Sequence, residues 1–350
     1  MRASGLLRTL VTGGAGFIGS ALLPRLLSAG ERITVLDDLS TAEPDWDAPF
    51  HDEMHDGRLR FVPGDVRDLA SVLAVMAGHE AVVHLAANTD IPGGYDDPRF
   101  DFEGCIHGTW NVAEAMRRHG VRRLVYASSG VVYGTPLRVP TGEAYGPLLP
   151  ESHYAAAKLA GESILSGFAH LYSWRVLAFR FGNTIGPRSN HGVVHDFVVK
   201  LLREGNRLEI LGDGRQAKPY IHVEDLIEGV LHAERLAPDR PFAVFNVATP
   251  GTLSVRQVAE LVIDELQLEA GGVEMHFSGA ARGGGGWVGD TPLVDLDADA
   301  LRAMGWAPQQ DAHEAVRRAA RGIRDRLLAS GAPLRTTAER RSAPRRADAR

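Results

Sequence analysis

The sequence holds a single cysteine, Cys105, in 350 residues. That excludes an intrachain disulfide framework and a cysteine-based zinc site, and it fits a reducing compartment. No apolar run approaches the roughly 18 residues of a membrane-spanning helix, so none is expected. The opening MRASGLLRTLVTGG passes into a glycine turn, without the apolar stretch and cleavage site of a secretory signal. Positive charge is scarce in the body: the formal net charge is -6, and the one dense basic stretch is 331–350, with six arginines. Nucleic-acid binding by the folded part is therefore disfavoured, and a cytoplasmic protein is expected. The histidines, among them His191, His195 and His222, stand in no H-E-x-x-H frame, so no metal site is expected.

What is present suits a substantial core: 44% of the residues are hydrophobic and 23% charged. Short Val- and Leu-rich strands such as RITVLDD, EAVVHLAAN, VRRLVYASS and WRVLAFRFGN alternate with helical stretches. This alternation is the signature of βαβ units around a parallel sheet. The expected class is α/β, a Rossmann-type parallel sheet with helices on both faces and a smaller C-terminal cap. Residues 1–180 are expected to form mainly the first domain. Residues 181–330 are expected to form mainly the cap, with segments returning to the first domain and a hairpin-like stretch near 207–226. Residues 331–350 read as a disordered basic tail.

Gly13, Gly16 and Gly19 follow the first strand and open a helix. The first permits a tight turn, the second close approach of a pyrophosphate, and the third helix–strand packing, with helix-start amides facing the phosphates. Asp37 ends the next strand, eighteen positions after Gly19. There a carboxylate accepts from both ribose hydroxyls and repels a 2'-phosphate, favouring NAD over NADP; Asp38 is its neighbour. Asp65 in GDVRD lies where it could reach an adenine amino group. Ala86 and Ala87 are small enough for a dinucleotide to lie against the backbone.

In ESHYAAAKLAGE, Tyr154 precedes Lys158 by four places, which puts phenol and ammonium on one helix face. A nearby ammonium favours the phenolate and is expected to lower the tyrosine pKa.

VTGGAGFIG, GDVRD, HLAA, YASSGVVYG, YAAAK, GNTIGPR and PYIHVEDL occur in that order. With them the chain resembles the NAD-dependent epimerase/dehydratase family, the extended short-chain dehydrogenase/reductases acting on nucleotide sugars. Among its members it is most similar to UDP-glucose 4-epimerases, isomerases of carbohydrate metabolism. The resemblance implies Tyr154 as general base, Lys158 as its partner on the nicotinamide ribose, and Ser129 as hydrogen-bond partner of the reacting oxygen. It extends the NAD set to Phe17, Ile18, Val66, Leu85 and Ser128. It implies a nucleotide-sugar pocket, with a UDP-linked substrate, from Asp90, Asn183, Arg188, Lys218, Tyr220, Arg282 and Asp290. It also implies a homodimer through helices near 102–119 and 152–170. The family's 4,6-dehydratases carry an Asp-Glu pair after the position of Ser129, and its glucuronate decarboxylases usually a Glu; this chain has Gly130 and Val131. Cys105 stands where relatives commonly have Asn. The expected reaction is C4 epimerisation through a transient 4-keto sugar. Alternatives are a nucleotide-sugar dehydrogenase that releases a keto sugar and a non-catalytic dinucleotide-binding protein.

Overall fold

The computed structural model describes residues 7–268, 272–281, 284–331 and 333–341. In chain order the first part runs β1 (Arg8–Thr12), α1 (Phe17–Ser28), β2 (Arg32–Asp37), α2 (His51–His55), β3 (Leu59–Pro63), α3 (Leu69–Met76), β4 (Ala81–His84), α4 (Ile91–Asp96), α5 (Arg99–Asp101), α6 (Gly108–His119), β5 (Arg123–Ser129), α7 (His153–Tyr172) and β6 (Arg175–Phe181). A π-helical stretch, Phe102–His107, joins α5 to α6. Then come β7 (Asn183–Ile185), α8 (Val193–Arg203), β8 (Arg207–Ile210), β9 (Ala217–Lys218), β10 (Tyr220–His222), α9 (Val223–Leu236), β11 (Phe242–Val247), β12 (Leu253–Ser254), α10 (Val255–Glu265), β13 (Glu274–Phe277), α11 (Asp299–Ala303), α12 (Ala312–Ser330) and α13 (Thr337–Arg341).

Seven strands form one parallel sheet in the order β11-β6-β5-β4-β1-β2-β3. Their continuous apolar sequences follow from burial on both faces. One face packs Val11, Val35 and Phe179 with α1 and α9; the other packs Leu10, Val82 and Leu124 with α3, α6 and α7. Winding reverses between β1 and β4, which opens a crevice at the carboxyl ends of the strands. A second core joins α8, α10 and α12 through Val198, Val262, Val316 and Ile323. The chain also returns to the first layer, where Leu226, Ile227 and Val230 of α9 share a core with Leu22 and Leu23 of α1.

Two expectations change. The stretch 207–226 does not pair with itself: β8 pairs with β13, β9 with β12 and β10 with β7. Its turn glycines separate short strands that find partners from distant parts of the chain. The expected tail does not begin at Gly331, because residues 333–341 lie against α8. Thr337 binds Asp196 through its N–H and hydroxyl, both at 2.7 Å, and Arg203 pairs with Glu339 through two bonds of 2.8 Å.

The sheet end beneath the crevice is braced by charge. Glu162 of α7 accepts from Arg180 of β6 at 2.9 and 2.7 Å and from Ser128 at 2.5 Å. Both ion-pair side chains are 5% exposed, so losing either partner would strand a buried charge. The Arg180 guanidinium lies 4.7 Å from the centre of the Tyr133 ring, and the Tyr133 hydroxyl donates to Asn246 of β11 at 2.9 Å. Among the described residues no helix is long and apolar enough to cross a membrane.

Candidate functional site

The crevice is a cavity of about 990 Å³ running from the β1–α1 turn to the second core. Gly13 adopts φ +72°, and a Cβ there would stand 2.6 Å from the Ala86 backbone nitrogen. A Cβ on Gly19 would collide with the Gly13 carbonyl, while one on Gly16 would meet only that oxygen, at 3.3 Å. The turn therefore needs glycine at 13 and 19 for packing, and at 16 it leaves the backbone open to the cavity. Among the described residues no side chain caps α1, and no acid stands in its first turn, so its free amides suit an anion.

Asp37 is buried at the end of β2, accepting from Ala15 N–H at 3.0 Å and Leu39 N–H at 2.8 Å. Burial outweighs those bonds and raises its pKa to about 6, with Asp38 adding to the rise. Asp38 is exposed and accepts from Ser40 N–H. Asp65 is engaged by Arg67, whose backbone N–H and Nε donate to it at 2.8 and 2.7 Å. Phe17, Ile18, Val66, Leu85, Ala86, Ala87 and Ser128 line the same cavity. The residues therefore fit a dinucleotide: an open glycine turn and an uncapped helix start face a carboxylate at the end of β2.

Tyr154 and Lys158 lie in the first two turns of α7, which Ser152 caps by accepting from Ala155 N–H at 3.2 Å. Lys158 is 2% exposed; its Nζ donates to the Ala127 carbonyl at 2.7 Å and lies 5.2 and 5.7 Å from the Tyr126 and Tyr154 ring centres. Gly161 makes room for this layer, since a Cβ there would strike the Tyr126 hydroxyl. Ser129, at the end of β5, lies close enough to Tyr154 to favour its ionised form. The expected lowering of the Tyr154 pKa by the ammonium is not found. Burial pushes the phenol well above its ordinary value, nearby Cys105 and Asp101 add to the rise, and Lys158 is directed to Ala127. Burial lowers Lys158 in turn.

Asp101 was not singled out from the sequence, where it is one acid among several in DDPRFDFEG. It is 1% exposed, its Oδ1 accepts from Asn88 Nδ2 at 2.9 Å, and its Oδ2 has no hydrogen-bond partner among the described residues. Burial raises its pKa, Asp90 adds to that, and His153 and Lys158 oppose it. Cys105, 1% exposed in the π-helical stretch, belongs to the same cluster, and burial raises its thiol.

On the substrate side, Asp90, Asn183, Lys218, Tyr220 and Asp290 line the cavity. Asp90 caps α4 by accepting from Gly93 N–H at 3.1 Å. Lys218 is tied up, 3.0 Å from Asp290 and bonded to the Thr291 carbonyl, and Asp290 also accepts from Gly286 N–H at 2.9 Å. Arg188 does not join this group: it lies 3.6 Å from Asp45, outside the lining of the cavity. Arg282 lies outside the described residues. Among the described residues no group of three or more His, Cys, Asp or Glu is arranged to hold a metal ion.

Cys105 and, after it, Asp101 are the groups that favour the Lys158 ammonium against burial. In Asp101→Asn the Lys158 titration should therefore move to lower pH. The chain has three lysines, so NMR of protein labelled at lysine Nζ resolves the event; an unmoved midpoint would exclude this coupling.

Residues 9–248 match the model of the NAD dependent epimerase/dehydratase family. The chain is 36% identical over 315 residues to a UDP-glucose 4-epimerase of Mycolicibacterium smegmatis, covering 87% of this chain and 94% of that protein. It is 33% identical over 270 residues to a dTDP-glucose 4,6-dehydratase of Streptomyces griseus, covering 76% and 80%. A crystal structure of a UDP-galactose 4-epimerase superposes with a TM-score of 0.80 at 34% identity, covering 92% of this chain and all of that one. With the motif-bearing elements gathered around one dinucleotide-shaped crevice, the chain belongs to the NAD-dependent epimerase/dehydratase family.

Proposed function

We propose that the protein interconverts the C4 epimers of a nucleotide sugar, with UDP as the carrier. The observation that carries this reading is the meeting of Tyr154, Ser129 and Lys158 in one cavity, with Gly130 and Val131 next along the chain. Neither of those two residues can move a proton, so elimination of water lacks catalysts at that position.

NAD is the cofactor, and Gly13, Gly16, the amides of Phe17 and Ile18, Asp37, Asp38 and Asp65 would hold it. When bound, it supplies a reversible two-electron acceptor and a positive charge that favours the Tyr154 phenolate. Tyr154 Oη takes the proton of the C4 hydroxyl, and Ser129 Oγ donates to the same sugar oxygen. Lys158 keeps a positive charge beneath the phenol, held by the Ala127 carbonyl. After the keto sugar presents its other face, Tyr154 returns the proton. A dehydrogenase of the same cavity would instead release the keto sugar and leave reduced cofactor in proportion to substrate.

We also propose a homodimer through α6, α7 and the π-helical stretch, where Phe102, Trp110, Leu171 and Tyr172 are exposed. Such a cluster on two packed helices suits a second copy.

Incubation with UDP-glucose, UDP-glucuronate and their N-acetylamino counterparts, followed by NMR, should give a C4 epimer of at least one with little net cofactor reduction. A 4-keto-6-deoxy product, or no epimer from any of them, would contradict the reading. In sedimentation velocity the wild type should run as a dimer and Trp110→Glu should shift it toward monomer; a monomeric wild type would end the dimer proposal.

A further inference from the structure

A nucleotide diphosphate brings negative charge that must meet cations or amides. Six Lys and Arg residues line the cavity: Arg67, Lys158, Lys200, Lys218, Arg335 and Arg340. Five are engaged. Arg67 is bonded to Asp65 at 2.7 Å, and Lys158 to the Ala127 carbonyl at 2.7 Å. Lys200 is bonded to the Glu209 carbonyl at 2.8 Å with that carboxylate 3.7 Å away. Lys218 lies 3.0 Å from Asp290, and Arg340 lies 3.4 Å from Glu43. Arg335 is exposed and, among the described residues, has no ion-pair or hydrogen-bond partner.

Its position is fixed by its neighbours. Thr336 is 8% exposed, and its N–H donates to Glu339 at 2.8 Å. Glu339 is clamped by Arg203 at the end of α8, and Thr337 reaches the start of α8, where it accepts from Gly192 N–H at 3.0 Å and binds Asp196. The segment is thus tied to both ends of α8, and Arg335 lines the cavity.

Resting on the nucleotide-sugar reading, we propose that Arg335 is a substrate-binding residue that pairs with the diphosphate, in the role for which Lys218 is neutralised by Asp290. The C-terminal segment then forms part of the substrate site.

Calorimetric titration of the NAD-loaded full chain with UDP and dTDP, and with uridine and thymidine, tests this. In Arg335→Ala, diphosphate affinity should fall about tenfold, the size of one lost charge-assisted contact, while nucleoside affinity stays constant. Arg335→Lys should recover part of the loss, and added salt should weaken diphosphate binding more in the wild type than in Arg335→Ala. Equal diphosphate affinity in wild type and Arg335→Ala overturns the assignment of Arg335 and leaves the substrate reading standing. A wild type that binds neither diphosphate, or binds it no better than the nucleoside, overturns the nucleotide-sugar reading and the proposal with it.

Discussion

The proposed chemistry is built around one buried cation, the Lys158 ammonium held under the β5 carbonyl of Ala127. Taking an ammonium out of water is costly, and one hydrogen bond from a charged group returns only about 1.5–3 kcal/mol. The surroundings offset part of that cost: the Tyr126 and Tyr154 rings lie over the charge, and Cys105 and Asp101 add a favourable field.

The same burial that holds Lys158 works against Tyr154. Desolvation disfavours the phenolate and the ammonium alike, so both groups are pushed toward their neutral forms. Only Ser129 pulls the phenol the other way among the protein groups identified as acting on it. The resting site is therefore biased toward a neutral phenol, and the positive charge of oxidised NAD is the natural counterweight. In the proposed mechanism, proton abstraction is then coupled to cofactor occupancy. The brace of Glu162, Arg180 and Ser128 ties α7 to the ends of β5 and β6.

Features written in local spacing were legible in the sequence. The glycines at 13, 16 and 19, Asp37 at a strand end, and Tyr154 four places before Lys158 are set by the geometry of one turn, one strand or one helix. The parallel sheet was equally legible, because burial on both faces leaves continuous apolar runs. What could not be read depends on distant partners. Lys218 meets an acid 72 positions away, so its neutralisation leaves no local trace. Asp101 is distinguished only by the packing of α5 on α7. Residues 333–341 have the composition of a tail, and their order comes from Asp196 and Arg203, more than 130 positions earlier.

The central claim is that the Tyr154 oxygen carries the proton of the reacting hydroxyl. Tyr154→Phe removes that one oxygen and keeps the ring over Lys158. Turnover of the substrate identified by NMR should fall by at least about a hundredfold, the lower range of general acid–base catalysis, while bound NAD is retained at the wild-type level. A Tyr154→Phe protein that holds NAD and turns over near the wild-type rate would contradict the account.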